Sequence, residues 1–264
     1  MVRFKQTFLR RGLPPLIALG LLSACGEGQV GAGSPLSREP EAPSTYLAPP
    51  SAQALRPVAA GYVLAGTAAS GARIRLATPE GDVRMADADD NGAWTIRLNA
   101  TGEPQIFGLS MMVGERTVQA EGYQLVLPDG RLVLLRAGAG AVVLQGGPER
   151  GISAFDFDEE GGAVVSGLAP PEAILSVRID GRTVSTSGRS DASGHFSLPF
   201  GAPVPPGAHQ IRVQGESLDL GAEVDATPAP PPETGAFRAA RTAHGLRVDW
   251  LTPGGGLQST LLLD

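Results

Sequence analysis

The chain has 264 residues, including 36 Gly, 23 Pro and a single cysteine, and its formal net charge is −6. Gly and Pro are the two poorest helix formers, so this composition argues against a helix-rich fold. A lone cysteine excludes both a disulfide framework and a zinc site built from several cysteines. The length predicts about two domains.

The N-terminus is typical of an exported protein. Residues 1–12 carry four basic groups and no acid, and an apolar run from Leu13 to Leu22 follows them. That run is too short to cross a bilayer, so the pattern predicts a secretory signal peptide over residues 1–24. Residues 22–25 read Leu-Ser-Ala-Cys, and this tetrapeptide resembles the lipobox of bacterial lipoproteins.

The resemblance implies that a peptidase cuts before Cys25, and that Cys25 then carries a diacylglycerol and an acylated amine. Two or more acyl chains hold a protein durably on a membrane, since each buried methylene contributes about 0.8 kcal/mol. Gly26 stands where related inner-membrane lipoproteins have Asp, which favours the outer membrane. The alternatives for Cys25 are a buried core thiol or a place in an interior strand. We expect a bacterial envelope protein that meets the membrane through its lipid anchor.

Removal of residues 1–24 takes away the only lysine, Lys5, and leaves 17 basic against 27 acidic residues. Such an acidic chain is repelled by phosphate backbones, so nucleic acid is not expected as a partner. Residues 26–31 match a GxGxxG pattern, but neither a strand nor a helix flanks them, and no cofactor is expected.

Residues 25–57 are rich in Gly, Ala, Ser and Pro and lack an apolar period. This composition predicts a disordered tether between the anchor and the folded part.

Two segments about 100 residues apart then follow the same pattern. Each opens on a glycine, Gly66 or Gly167, and each reaches Asp-x-x-Gly-x-aromatic, at residues 89–94 and 191–196. The apolar period between these points is two, which indicates half-buried strands separated by glycine turns. The sequence therefore predicts an all-β chain with one sandwich over residues 58–147 and a second over 150–225.

The opening Gly-x-Ala-x-x-Gly-Ala of residues 66–72 and the two Asp-x-x-Gly motifs resemble bacterial Ig-like or carboxypeptidase-regulatory-like modules. The resemblance covers about residues 60–225 and implies two tandem Ig-like β-sandwich domains that bind or space other molecules without catalysis. The second copy departs from the pattern, because Pro171-Glu172 replace Ser70-Gly71 and Phe196 replaces Trp94.

Residues 226–264 read as a Pro-rich linker followed by a short β-meander. A three-stranded meander is marginally stable alone, so it must dock on the second sandwich or on a partner.

One segment has partial metal-ligand spacing. Asp87, Asp89 and Asn91 place oxygen ligands at alternate positions before Gly92, as at the start of a calcium loop. Leu98 stands where the closing bidentate Glu is required, and the same residues suit a hairpin turn. The turn is the preferred interpretation, with metal binding as the weaker alternative.

Other polar groups have no clear catalytic pattern. The acidic run at 156–160 alternates with Phe155 and Phe157, which favours a solvated strand face over a carboxylate pair for acid/base work. The three histidines, at positions 195, 209 and 244, belong to separate strands or turns and accompany neither HExxH nor GxSxG.

Two further residue types bear on ligand binding. Outward-phase arginines, namely Arg73, Arg75 and Arg97, either form a stripe for an anionic glycan or acidic protein or belong to a mixed solvated face. Trp94 and Trp250 are the only indoles for stacking on sugar rings, and both fall on the apolar phase of their strands.

These patterns favour a lipid-anchored, non-catalytic envelope protein whose modules bind or position an envelope protein or a cell-wall or surface glycan. The alternatives are a glycan-active accessory protein or hydrolase, and an assembly factor that docks a partner through the C-terminal meander.

Overall fold

The computed structural model describes residues 46–264, which form one compact unit built from β-strands. Cys25, the signal peptide (1–24) and most of the tether lie outside the described residues. Within them, no helix has the length and apolarity needed to cross a bilayer.

The first module contains nine strands. They are β1 (Ser51–Val58), β2 (Gly61–Thr67), β3 (Arg73–Ala77), β4 (Val83–Asp87), β5 (Ala93–Asn99), β6 (Gln105–Val113), β7 (Arg116–Val126), β8 (Leu132–Leu135) and β9 (Val142–Gln145). One sheet has the order β1-β2-β5 and the other has the order β4-β3-β6-β7-β8-β9. They enclose a core that includes Leu64, Ile74 and Leu109.

The second module contains the remaining strands. They are β10 (Gly151–Asp158), β11 (Ala163–Leu168), β12 (Ile174–Ile179), β13 (Arg182–Arg189), β14 (His195–Pro199), β15 (Ala208–Gly215), β16 (Leu218–Asp225), β17 (Phe237–Thr242), β18 (Gly245–Leu251) and β19 (Leu257–Leu263). Its sheets have the orders β14-β11-β10-β19-β18-β17 and β13-β12-β15-β16. Their core includes Phe155, Val177 and Ile211.

Strands β1–β7 and β10–β16 repeat one topology. In each copy a three-stranded sheet faces a four-stranded sheet, and the order β1-β2-β5 with β4-β3-β6-β7 recurs as β10-β11-β14 with β13-β12-β15-β16. Both first strands carry a register shift, between Ala52 and Ala54 and between Ile152 and Ala154. The expected pair of tandem Ig-like sandwiches is confirmed.

The glycine and the aromatic residue of each repeat pack on each other. A Cβ added to Gly66 would lie 2.5 Å from the Trp94 ring, and one added to Gly167 would lie 2.8 Å from the Phe196 ring. In both copies such a Cβ would also lie within 2.1 Å of a neighbouring backbone carbonyl oxygen, so no larger residue fits. The motif is therefore structural: the glycine makes room for the ring beneath it.

Strand β1 begins at Ser51, inside the segment expected to be tether. The register shift at Ala52 breaks the period of two that marks a strand in sequence, because the buried residues Ala52 and Leu55 are three apart. The sequence pattern consequently does not mark this strand, and the stretch that contains it resembles a linker in composition.

The C-terminal meander belongs to the second module, since β19 pairs with β10 along Ala154–Asp158. One face of the meander packs on the first module. Residues of β6, β7 and β8 meet residues of β18 and β19 in a third hydrophobic core, where Trp250 is fully buried and meets Tyr123 edge to face at 5.8 Å. The meander thus joins the two sandwiches through a shared core.

Candidate functional site

A cluster of buried, hydrogen-bonded polar side chains lies at the junction between the modules. A loop at residues 136–141, the junction loop, leaves β8 and lies on the face of β10, β11 and β14 that points away from their own core. Asp156 Oδ2 accepts from the Ala141 N–H at 2.7 Å, and Ser166 Oγ donates to the Ala141 carbonyl at 2.6 Å. Ser197 Oγ donates to the carbonyl of Ala139 at 2.6 Å. Three adjacent strands of one module therefore hold a loop that leaves the other.

Arg136 closes the junction loop on itself. Its Nε donates to the Gly140 carbonyl at 2.8 Å, and its Nη2 donates to Ser197 Oγ at 3.1 Å. The guanidinium supplies a donor to the Gly140 carbonyl and a second donor to the Ala139 carbonyl, which also accepts from Ser197.

Asp156 is the centre of this cluster and is only 2% exposed. Its Oδ1 accepts from Gln258 Nε2 at 3.0 Å and from Thr260 Oγ1 at 2.5 Å, and Thr260 in turn accepts from the Trp250 indole at 3.1 Å. Burial raises the pKa of the Asp156 carboxyl, although the donors Thr260, Ala141 and Gln258 act in the opposite direction.

The expected solvated strand face is wrong for Asp156. The alternation with Phe155 and Phe157 holds, but the opposite face is covered by the junction loop instead of by water. Further along the run, Asp158 Oδ1 accepts from the backbone N–H groups of Glu160 and Gly162, which is the work of a hairpin turn.

A second buried carboxylate lies on the other face of the meander. Asp249 accepts hydrogen bonds from Arg238, Arg247 and Ser259, each at 2.7 Å. Burial acts to raise the pKa of Asp249, but the Ser259 hydroxyl and the two guanidinium groups outweigh it and hold that pKa below its ordinary value.

The same arginines hold the Pro-rich linker. Arg247 donates to the Thr227 carbonyl at 2.8 Å and lies 5.1 Å above the Phe157 ring, and Arg238 donates to the Pro230 carbonyl at 3.3 Å. The linker is therefore fixed along the sheet by two of its carbonyl groups.

The calcium-like segment forms a turn. Asp89 Oδ1 accepts from the backbone N–H groups of Asn91 and Ala93 at 2.9 and 2.8 Å, and Asp87 meets Arg73 at 3.3 Å. Asp191 accepts from Ser193 and His195 in the same way in the second copy. Residues 46–264 contain no group of three or more His, Cys, Asp or Glu side chains that could hold a metal ion.

The three histidines lie apart. His195 begins β14, and His244 lies in the turn between β17 and β18. His209 Nδ1 lies 2.7 Å from Asp180 Oδ2, while its Nε2 lies 2.7 Å from the Pro205 carbonyl oxygen. Burial acts against the charged ring, but the hydrogen bonds to Asp180 and Pro205 outweigh it and raise the pKa of His209.

The structure also places the arginines of the predicted stripe and the two tryptophans. Arg73 and Arg75 lie on β3, whereas Arg97 lies on β5 in the other sheet, so the three do not form one stripe. Trp94 and Trp250 are both buried, which removes the two indoles from any stacking surface for sugars.

The strand periodicity does not predict that the polar residues of the junction lie together. Gln258, Ser259 and Thr260 are consecutive polar residues inside an apolar terminal strand, and Asp156 lies between two phenylalanines. Buried polar residues are normally hydrogen-bonded, so polar residues interrupting two apolar strands are a signal for contact between those strands.

Comparison with known proteins adds little to this description. No family model matches the chain, and no curated protein matches it. One solved structure that does match is the central fibronectin-III array of RIM-binding protein, with 13% identity over 78% of this chain and 72% of that chain and a TM-score of 0.27. The fold described above therefore rests on the strand order of the two modules.

Proposed function

We propose that this chain is a lipid-anchored, non-catalytic protein of the bacterial envelope, whose paired modules form one rigid body that binds or positions another envelope component. The observation that carries the positioning role is the third core, because it couples two sandwiches that would otherwise be independent domains on a linker. A rigid pair holds its binding surfaces at a fixed separation, and this lowers the entropy cost of engaging a partner with both.

The lipobox-like residues 22–25 support the anchor. In this proposal Cys25 becomes the lipidated first residue, and the segment before Ser51 separates the membrane from the first strand. The absence of Asp after Cys25 favours the outer membrane.

The anchor is tested by membrane fractionation of cells that produce the full chain or its Cys25→Ala variant. We expect the unmodified protein in the membrane fraction, resistant to high salt, and the variant outside it or unprocessed. Ser23→Ala is the matched control, since it changes the same tetrapeptide without removing the thiol. Salt-resistant membrane binding of Cys25→Ala with normal processing would refute the anchor.

The binding role needs a separate experiment. A chain that begins at Cys25 has no lysine, so amine-reactive crosslinkers have no side chain to attack. A photoreactive amino acid at exposed Met85 or Ile174 reports on one face of each module in intact cells. A specific adduct at either position supports the role. The absence of an adduct at each of the two positions argues against it.

The hydrolase alternative has lost its main structural support, because both indoles are buried. The assembly-factor alternative has less support as well, since the meander is occupied within the chain by β10 and the third core.

A further inference from the structure

The two copies differ sharply at one equivalent loop, between β2 and β3 in the first and between β11 and β12 in the second. The backbone hydrogen bonds are the same in both: Gly71 N–H donates to the Asp89 carbonyl at 3.4 Å, and Glu172 N–H donates to the Asp191 carbonyl at 3.2 Å. The residues are not the same. The first copy has Gly71 and Arg73, and the second has Glu172 and Ile174.

Glu172 adopts a conformation that suits glycine. Its φ is 57°, close to the 64° of Gly71 in the first copy. A non-glycine residue in the left-handed region is strained, and such strain is concentrated at binding and catalytic sites. The second copy thus has a glutamate at a position where the first copy has a glycine, which adopts this conformation without strain.

This loop borders an open groove of about 530 Å³, the β11–β12 groove, formed by residues 170–174 and 215–218. Pro170, Pro171 and Leu218 give it apolar walls. Ile174 is 66% exposed, the highest exposure among the large apolar side chains of β1–β19. A Cβ on Gly215 would lie 3.0 Å from the Ile174 carbonyl oxygen. The absence of a side chain at residue 215 therefore leaves space in the groove.

The groove has an acidic rim. Glu172 Oε2 accepts from Arg189 at 3.2 Å, and that pair is exposed to solvent. Glu216 lies in the facing turn and has no ion pair with any residue that the structure describes. One paired and one unpaired glutamate beside an apolar wall complement a ligand that is both basic and apolar.

We propose that the β11–β12 groove binds an extended basic and apolar segment of a partner protein, with an aliphatic side chain against Ile174 and an arginine or lysine beside Glu216. This inference rests on the proposed binding role and gives it a partner class. Exposed apolar surface rimmed by charge is typical of protein-interaction sites. In the first copy Gly71 and Arg73 occupy the positions of Glu172 and Ile174, so neither the glutamate nor the exposed isoleucine is repeated there.

The test uses the mature full-length protein purified in detergent and a fluorescent nine-residue peptide with an Arg-Leu-Arg centre between Gly and Ser flanks. Peptides with Glu-Leu-Glu and Arg-Ser-Arg centres separate the charge requirement from the apolar one. We expect the Arg-Leu-Arg peptide to bind best, and replacing its leucine with serine to weaken binding about tenfold. A photoreactive residue beside the leucine should label residues 170–174 or 215–218, mapped by mass spectrometry.

Two of the variants, Ile174→Arg and Glu172→Gly, introduce the residues of the first copy. Ile174→Arg should weaken peptide binding about tenfold or more, because it removes the apolar contact and adds a like charge. Met85→Arg, at an exposed apolar position of the first module, is the matched control and should bind normally. Glu216→Gln should reduce the preference for Arg-Leu-Arg over Glu-Leu-Glu.

Glu172→Gly separates a binding role from a structural one. Removal of the strained conformation should raise the melting temperature by about 2 °C, while binding of the Arg-Leu-Arg peptide weakens. Labelling outside the groove, or equal loss of binding in Ile174→Arg and Met85→Arg, would overturn the inference. Because membrane retention through Cys25 does not involve this groove, that result would leave the anchor intact.

Discussion

The two buried tryptophans differ in one respect that can be measured. Trp250 Nε1 donates to Thr260 Oγ1 at 3.1 Å, whereas Trp94 Nε1 has no hydrogen-bond partner among the described residues. Substitution of phenylalanine removes the same atoms from both cores, so the loss of packing is similar at the two sites. The remaining difference between Trp250→Phe and Trp94→Phe comes from the indole N–H.

The size of that difference follows from the two environments. Trp250→Phe loses one net hydrogen bond, at about 1 kcal/mol. Trp94→Phe removes an unsatisfied buried donor, which relieves about 1–3 kcal/mol of desolvation cost. We therefore expect Trp250→Phe to be the more destabilising of the two by about 2–4 kcal/mol.

Denaturant unfolding measures this directly. Each variant retains one tryptophan, so its fluorescence follows the third core in Trp94→Phe and the first module's core in Trp250→Phe, while far-UV circular dichroism follows both modules. Coincident transitions by the two probes are expected if the third core joins the modules into one cooperative unit. Equal destabilisation by the two substitutions would refute the hydrogen-bond reasoning, and separate transitions in the unmodified protein would refute the coupling.

Two further predictions concern titratable groups. Asp156→Asn should lower the free energy of unfolding by about 2–3 kcal/mol, because its amide NH₂ would face another N–H donor on either side, from Ala141 or from Gln258 Nε2. Asp158→Asn, in an exposed turn, should cost under about 1 kcal/mol by urea unfolding. His209 has a folded pKa above its unfolded value, so its stabilising contribution is complete below the unfolded pKa and is lost as pH rises through the folded pKa. Stability measured from pH 5.5 to 8.5 should therefore fall more steeply in the unmodified protein than in His209→Gln, and parallel curves would contradict the assignment.

Much of the fold could be predicted from local chemistry. The repeated Gly and Asp-x-x-Gly-x-aromatic motifs mark real turns and a real packing pair, because the constraints that place Gly66 under Trp94 act over one pair of strands. The burial of Asp156 could not be predicted in this way. It depends on a loop that leaves the other module, and no periodicity along β10 reports what covers the far face of its sheet.

The first strand of each copy, β1 or β10, has one edge that its own sandwich leaves unpaired. The two copies cover this edge by different means. In the second copy β19 pairs with β10 along five residues, so the edge becomes the interior of a sheet. In the first copy the equivalent edge of β1 is blocked by Gln145, whose side-chain amide bonds the Leu55 N–H at 2.9 Å and the Leu55 carbonyl at 2.7 Å, and by Pro57, which has no N–H to offer. Open edges invite pairing with other chains, and natural proteins block or cover them.

Both solutions use the strands that each module has beyond the common repeat. Gln145 comes from β9, and β19 comes from the meander. Val143 of β9 and Trp250 of the meander also pack in the third core, so the elements that close the edges are the ones that join the modules. This accounts for why a meander too small to be stable alone is ordered here: its strands complete a sheet on one edge and a core on one face, and both are lost if it detaches. A pair of modules built in this way presents its loops, including the β11–β12 groove, from a body in which the edges of β1 and β10 are already covered.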